Sequence, residues 1–215
     1  MIPPSAGPLA QNLDDLELFM STILRGEPWR YDATAYAVPW NRDVRIQPLL
    51  KIGILPEDEH FPLHPPVRRS LESAIEALGK KGHRIVRLPN EHSRDVAYST
   101  RLAFEMFTYG PSLDHITPSG EPVVKSVAAQ PSPLFSGPLL LNQDLGIFQK
   151  IITLKSAQTE YSDAWRKVIV ENDLDVILGP GAQNTAVPHD TYAWPPYTSI
   201  WNLLDVSIAS KMKTC

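Results

Sequence analysis

Apolar residues recur every three or four positions in four stretches of the chain, and this spacing is typical of amphipathic helices. The predicted helices cover residues 13–24, 67–79, 95–107 and 143–170. Ser93 is a candidate cap for the third helix, because a serine hydroxyl can accept a hydrogen bond from a free backbone N–H at a helix start. Helices of this kind bury their apolar side, so the pattern predicts a packed core.

The first predicted helix shows the pattern most clearly. Asn12 lies at a capping position, and Asp14 and Asp15 follow in the first turn, where the helix dipole favours acidic side chains. Its apolar residues form one stripe along the helix: Leu13, Leu16, Met20, Ile23 and Leu24. A stripe of this width predicts that the helix packs against another surface.

Short runs of β-branched and apolar residues predict strands at 49–55, 84–88 and 176–178, with a further one at 206–209. The helix at 67–79 lies between the first two strands. A strand, helix, strand order is a crossover unit, so these two strands should be parallel and their connection right-handed. The alternation predicts an α/β fold with a partial, mainly parallel (mixed) sheet flanked by helices.

Proline is frequent, with 21 residues that fall mostly between the predicted elements. Its fixed φ and missing N–H disrupt regular structure. We therefore expect long ordered loops, chiefly over 29–48 and 108–137, with one short helix at 123–129 in the second of them. Long loops in a compact domain usually carry function or wrap another part of the protein.

The composition is that of a folded protein. Of the 215 residues, 43% are hydrophobic and 20% are charged, which is close to the average of globular domains. A net charge of -4, with no more than two adjacent Lys or Arg residues, argues against nucleic acid as a partner. The sequence has no run of 18 apolar residues and its one cysteine is Cys215, so we expect a cytoplasmic protein that does not enter a membrane.

The most informative stretch is 175–210. The predicted strand at 176–178 ends at Gly179-Pro180-Gly181, which is a turn sequence, and a polar loop containing His189 and Asp190 follows it. The next residues include four aromatic side chains: Tyr192, Trp194, Tyr197 and Trp201. A strand end, a polar loop and an aromatic helix start in this order predict the rim of a pocket.

These residues resemble a known family. Residues 197–205 read Tyr-Thr-Ser-Ile-Trp-Asn-Leu-Leu-Asp, and together with the Pro-His loop before them they resemble the C-terminal region of the amidase signature family, in particular its fungal acetamidase-like members. Residues 7–16 read Gly-Pro-Leu-Ala-Gln-Asn-Leu-Asp-Asp-Leu and are similar to the segment that follows the catalytic core of that family. The resemblance implies the C-terminal portion of the amidase signature fold, and a hydrolase of carboxamide C–N bonds that uses no cofactor and no metal.

The resemblance also implies where the reactive groups lie. The two serines and the lysine of the family precede the Gly-Pro-Leu-Ala segment, which begins here at residue 7. The sequence contains no Ser-Ser pair, no Gly-Gly pair and no Gly-x-Ser-x-Gly motif that would replace them. We therefore expect one incomplete amidase-like domain over 1–215 with no catalytic residue of its own. Such a domain would act on a small amide substrate only if the catalytic half is supplied.

Three aromatic residues are candidates for the lining of an amide or acyl pocket: Trp194, Tyr197 and Trp201. Tryptophan and tyrosine combine a large apolar area with a polar tip, which suits such a lining. Packing in the core is the alternative, and the sequence favours it for Trp201, which lies at a helix start.

Other polar groups are better explained by structure than by chemistry. His60 and His64 follow three acidic residues, but Pro62 lies between them and prevents a helix that would bring two histidines four apart to one side, so we expect a solvated loop and no metal site. His189 and Asp190 are interpreted as loop hydrogen-bonding residues. Asn202 and Asp205 are interpreted as ties between a helix and the strand after it.

Three functional hypotheses follow. The leading one is a fragment of an acetamidase-like hydrolase, inactive alone. The second is a pseudoenzyme, an amidase-like protein without catalysis that binds a partner amidase. The third is a truncated gene product without an independent role.

Overall fold

The computed structural model describes these parts of the chain: residues 2, 7–40, 48–91, 95–109, 117–122, 125, 141, 144–191 and 195–204. The α-helices in these ranges are α1 (Leu13–Arg25), α2 (Pro65–Lys80), α3 (Val96–Thr108), α4 (Ile147–Glu171) and α5 (Pro196–Leu204). The strands are β1 (Lys51–Ile54), β2 (Arg84–Arg87) and β3 (Val176–Leu178), and short 3-10 helices cover Pro28–Arg30 and Thr117–Ser119.

The three strands form one sheet in the order β2-β1-β3, and both pairings are parallel. Ile52 of β1 is paired with Ile85 of β2 and with Val176 of β3. Because β1 has a neighbour on either side, it is the central strand of this sheet. The α/β prediction, including the parallel crossover from β1 through α2 to β2, is confirmed.

Successive side chains of β1 point to opposite faces of the sheet. Ile52 and Ile54 are buried and pack with Ile75 of α2, so α2 covers one face. The other face lies against α3, α4 and α5, which contribute the largest buried side chains of the core: Leu102, Met106, Tyr161, Trp165, Tyr197 and Ile200. The sheet is therefore sandwiched between α2 and a layer of three helices.

Gly53 lies in β1 where two leucines from the segments beside the neighbouring strands crowd the backbone. A Cβ atom at this position would lie 2.7 Å from Leu174 Cδ1 and 3.4 Å from Leu88 Cδ1. A side chain at this position would fit only if the tip of Leu174 moved, so the glycine in the middle of the strand marks a close approach between neighbouring groups.

The predicted cap of α1 is confirmed, and that of α3 is wrong. The Asn12 side chain accepts a hydrogen bond from the Asp15 N–H at 2.8 Å, which confirms the cap of α1. The prediction of Ser93 as the α3 cap is wrong, because the helix begins at Val96 and the Asp95 side chain accepts from the Tyr98 N–H. Both serine and aspartate can cap, and the choice depends on where the first turn forms.

Other boundaries moved by a few residues. Helix α2 begins at Pro65, two residues earlier than predicted, since proline fits the first helical positions where no N–H is needed. Helix α4 begins at Ile147 rather than at 143. The predicted helix at 123–129, apart from Lys125, and the predicted strand at 206–209 lie outside the described residues.

The chain divides into two compact units. The larger contains residues 1–3 and 49–215 and holds the sheet and helices α2 to α5; the smaller contains residues 4–48 and holds α1.

Candidate functional site

Ligands of parallel α/β sheets bind where the strands end, outside their carboxyl edge. Here the three strands end together, because the Leu55 N–H donates to the Leu178 carbonyl at 2.9 Å and the Leu88 N–H donates to the Ile54 carbonyl at 3.3 Å. The loops that leave this edge, 55–64, 88–91 and 179–190, are therefore the first place to look for a site.

Asp58 is the buried centre of the loop after β1. Its side chain is 3% exposed, and its carboxylate accepts one hydrogen bond from the His60 N–H and one from the Ala97 N–H, each at 2.8 Å. Ala97 lies in the first turn of α3, where the free N–H groups and the helix dipole favour a negative charge. This carboxylate thus holds the loop against the start of α3.

Tyr197 of α5 fixes the same loop from another direction. Its ring is fully buried, and its Oη accepts from the Asp58 N–H at 3.1 Å and donates to the Phe61 carbonyl at 2.8 Å. Burial raises the pKa of the Tyr197 phenol to about 12. The hydroxyl is therefore protonated at neutral pH, and its hydrogen is engaged by a backbone carbonyl.

Glu57 joins the loop to α2. Its Oε1 accepts from the Leu63 N–H at 2.8 Å, and Arg68, in the first turn of α2, donates through Nε to Glu57 Oε2 at 2.8 Å and through Nη2 to Oε1. These hydrogen bonds from Arg68 lower the pKa of the Glu57 carboxyl, and Glu57 in turn raises the pKa of Arg68. A guanidinium that contacts both carboxylate oxygens fixes orientation as well as charge.

The loops after β1 and β3 also contact each other. The His64 N–H donates to the Gln183 carbonyl at 2.9 Å, and Gln183 Nε2 donates to the Pro62 carbonyl at 2.9 Å. The carboxyl edge therefore carries a connected set of loops whose backbone groups are held by side chains of the same unit.

Two of the three predicted pocket residues, Tyr197 and Trp201, lie on α5 within the described part of the chain. Trp194 lies outside the described residues. Tyr197 belongs to the core as described above, and Trp201 is half-buried against α4, with its ring centroid 6.2 Å from that of Trp165 and the two planes inclined by 54°. Their role in lining a pocket stays a prediction.

The two histidines of the loop after β1 face different surroundings. The His60 side chain is 78% exposed, with Nδ1 at 3.6 Å from Asp58 Oδ1. His64 precedes α2 as its N-terminal flanking residue. Among the described residues, no group of three or more His, Cys, Asp or Glu side chains is arranged to hold a metal ion.

The buried hydroxyls near this edge bond to the backbone of their own helices. Ser99 Oγ and Thr100 Oγ1 donate to the Val96 carbonyl at 2.8 and 2.7 Å, and Ser199 Oγ donates to the Pro195 carbonyl at 2.9 Å. Within the part of the chain that the structure describes, every lysine is exposed or half-buried. Among the described residues, these hydroxyls therefore have no buried lysine beside them that would activate them for attack on a carbonyl.

Comparison with known proteins places this arrangement in a family. The model of the family described as Amidase matches residues 1–213. The chain belongs to the amidase family. The match confirms the resemblance inferred from residues 7–16 and 197–205.

Individual amidases show the extent of the likeness. The chain is 32% identical over 204 residues to a protein named Amidase from Gibberella moniliformis, covering 95% of this chain and 38% of that protein. It is 29% identical over 213 residues to a protein named Acetamidase from Aspergillus oryzae, covering 93% and 37% respectively. The chain thus spans less than two fifths of the length of these two amidases.

A solved amidase-family structure agrees with the fold. The structure of Fatty acid amide hydrolase superimposes with a TM-score of 0.76 at 27% sequence identity, over 95% of this chain and 35% of that one. Among the residues that the structure describes, no helix combines the length and the apolar character that crossing a lipid bilayer requires.

The full role of Asp58 in this amidase-family chain is not evident from its sequence pattern. The local part of its role had a signal, since an aspartate that accepts the N–H two residues later is a common turn feature. The bond to Ala97 joins residues 39 positions apart, and no local pattern indicates it. The same holds for the hydroxyl of Tyr197, whose partner Phe61 is 136 positions away.

Proposed function

We propose that this chain forms part of the wall of an amide-hydrolysing site, as one incomplete amidase-like domain over 1–215. The reacting groups, two serines and a lysine, belong to amidase residues that the 215 do not include. The substrates are small carboxamides, cleaved to an acid and ammonia. The observation that carries the proposal is the family match over 1–213 in a chain that covers 38% of an amidase.

The geometry supports a wall rather than a reacting centre. Amide hydrolysis needs an activated nucleophile and donors for the oxyanion. The buried hydroxyls of Ser99, Thr100 and Ser199 donate to backbone carbonyls three or four residues before them. The loop after β1 is held in place by Asp58, Glu57 and Tyr197. A fixed loop edge with an aromatic helix beside it is suited to shape a pocket.

The proposal retains Trp194, Tyr197 and Trp201 as residues of the pocket wall. Tyr197 acts from behind the surface, because its ring is buried and its hydroxyl holds the loop backbone. The protein is placed in the cytoplasm, and recovery of a tagged chain with secreted material would contradict that part of the proposal.

The test is an assay for ammonia release. The purified chain is incubated with acetamide or formamide, with the Acetamidase of Aspergillus oryzae in parallel as the positive control. We expect no release above buffer from the chain alone. Turnover that a serine-directed inhibitor abolishes would show that the reactive groups are present in this chain, and the proposal would fail.

A second candidate function is a noncatalytic protein that binds an intact amidase. It is favoured by the apolar side chains that α1 exposes, among them Leu13 and Ile23. An intact amidase that co-purifies with the chain and loses activity supports this candidate. A stable monomer that captures no added amidase counts against it.

A further inference from the structure

Helix α1 exposes the stripe that the sequence predicts to be packed. Leu13, Met20 and Ile23 are 64%, 37% and 42% exposed, and Leu16, on the same side of the helix, is only half-buried. Positions three and four apart lie on one side of a helix, so these four side chains form a continuous surface. We call this surface the α1 stripe.

The α1 stripe belongs to a well-formed helix. Asn12 caps it, Asp14 and Asp15 occupy its first turn, and Arg25 lies in its last turn, all in the places that the helix dipole favours. Phe19, 44% exposed, extends the apolar surface along one border. A capped helix presents its side chains in fixed positions, which is what a docking surface requires.

We propose that the α1 stripe is the docking surface for the part of an amidase polypeptide that this chain does not match. In the Gibberella amidase the matched residues make up 38% of the protein, so the counterpart of α1 there is joined to a larger polypeptide that can cover it. An exposed apolar stripe on a capped helix is the kind of surface that a further polypeptide can cover. This inference rests on the proposed function.

The charge of α1 argues for a protein occupant over a membrane. Helices that lie on anionic lipid surfaces carry Lys and Arg on the polar side. Helix α1 instead carries Asp14, Asp15 and Glu17 against one basic residue, Arg25. Repulsion from anionic headgroups would oppose binding to a membrane through the stripe.

The experiment co-expresses two polypeptides: the full 215-residue chain with an affinity tag, and the part of the Gibberella amidase that the match leaves uncovered. The test variant is Met20→Gln with Ile23→Gln, since glutamine keeps helix propensity while removing apolar area. The matched control is Leu18→Gln, because Leu18 is 62% exposed and lies on the opposite side of α1. Circular dichroism checks that all three proteins keep their helix content.

We expect the wild type and Leu18→Gln to recover the second polypeptide in equal amounts, and the double variant to recover about tenfold less, because anchors at the centre of an interface dominate its affinity. Equal recovery by all three proteins overturns the proposal, as does failure of the wild type to recover any. If the chain self-associates and the double variant does not, the α1 stripe binds a second copy of the chain, and the proposal is overturned. If the chain binds phosphatidylserine vesicles and the double variant does not, the stripe binds a membrane, which also overturns the proposal.

Ammonia release from acetamide, measured on the same purified material, separates the two proposals. Stripe-dependent recovery without hydrolysis by the complex supports the docking surface and counts against the proposed function. Hydrolysis by the chain alone overturns the proposed function whatever the stripe binds.

Discussion

Replacing Tyr197 by phenylalanine removes one oxygen from the centre of the loop network. The ring still fills its place, so no cavity forms, but the Asp58 N–H and the Phe61 carbonyl lose their buried partner. A buried polar group left without a hydrogen bond costs about 1–3 kcal/mol. We expect Tyr197→Phe to lower the free energy of unfolding by about 2 kcal/mol at pH 8.

The size of this difference should depend on pH in a defined direction. Burial raises the pKa of Tyr197 from 10.0 to about 12, so between these values the folded chain keeps a proton that the unfolded chain releases. Stability from a raised pKa is fully present below the unfolded pKa and is lost as pH rises through the folded pKa. The wild type should therefore lose about 1.4 kcal/mol relative to Tyr197→Phe between pH 8 and pH 11.

Urea unfolding followed by tryptophan fluorescence measures both quantities. Tyr31→Phe is the control, because Tyr31 is 87% exposed and its replacement should change the free energy of unfolding by less than about 0.5 kcal/mol. If the difference between the wild type and Tyr197→Phe stayed constant from pH 8 to pH 11, the phenol would titrate alike in both states. The assignment of Tyr197 as a buried, neutral tie would then be wrong.

Three further predictions concern the same unit. Asp58→Ala leaves the N–H groups of His60 and Ala97 without an acceptor, so it should lower the free energy of unfolding in urea by about 3 kcal/mol. Asp58→Asn keeps one oxygen and should lower it by about half as much. Equal decreases for the two variants would contradict the role of the carboxylate. Gly53→Val requires the tip of Leu174 to move and should lower the unfolding free energy by about 2 kcal/mol in urea unfolding. Gly181→Ala, with no atom within 4 Å of the added Cβ, should be close to neutral in the same assay. The hydrogen bonds from Arg68 lower the pKa of Glu57, so the stability they add is present above pH ~4.3 and is lost as pH falls. Arg68→Gln should therefore flatten the acid limb of the stability curve, and only slightly, because Arg68 is 48% exposed and solvent screens the pair.

The sequence predicts the elements of this fold well because their signals are local. The apolar spacing of 13–24 and 67–79 repeats within each helix, and the runs at 49–55, 84–88 and 176–178 are short and bounded by turn residues. Local signals also explain why the predicted starts of α2 and α3 differ from the observed ones. Pro65 is compatible with either a loop or a helix start. Asp95, not Ser93, is the cap of α3 because the first turn begins at Val96.

The candidate site was harder to predict because its bonds are distant in sequence. The order β2-β1-β3 brings the loop after β1 next to the loop after β3, and α3 and α5 reach that loop from the same face. The sequence predicts that Glu57, Asp58 and Glu59 are all exposed to solvent, but the Asp58 carboxylate is buried. Only the tertiary arrangement shows which carboxylate is buried, since burial of a charge depends on the donors that surround it.

The carboxyl-edge loops and the α1 stripe of this amidase-family chain differ in how their side chains are packed. The loop after β1 at the carboxyl edge is tied by Asp58, Glu57 and Tyr197 to helices of the same unit. The α1 stripe has the opposite character, because its apolar side chains are exposed although the helix that carries them is complete. A wall that is already ordered loses little conformational entropy when substrate binds, whereas burial of an exposed apolar stripe contributes to the affinity between polypeptides. Within the proposed function, the carboxyl edge therefore bears on how a substrate is held, and α1 bears on whether the polypeptides assemble.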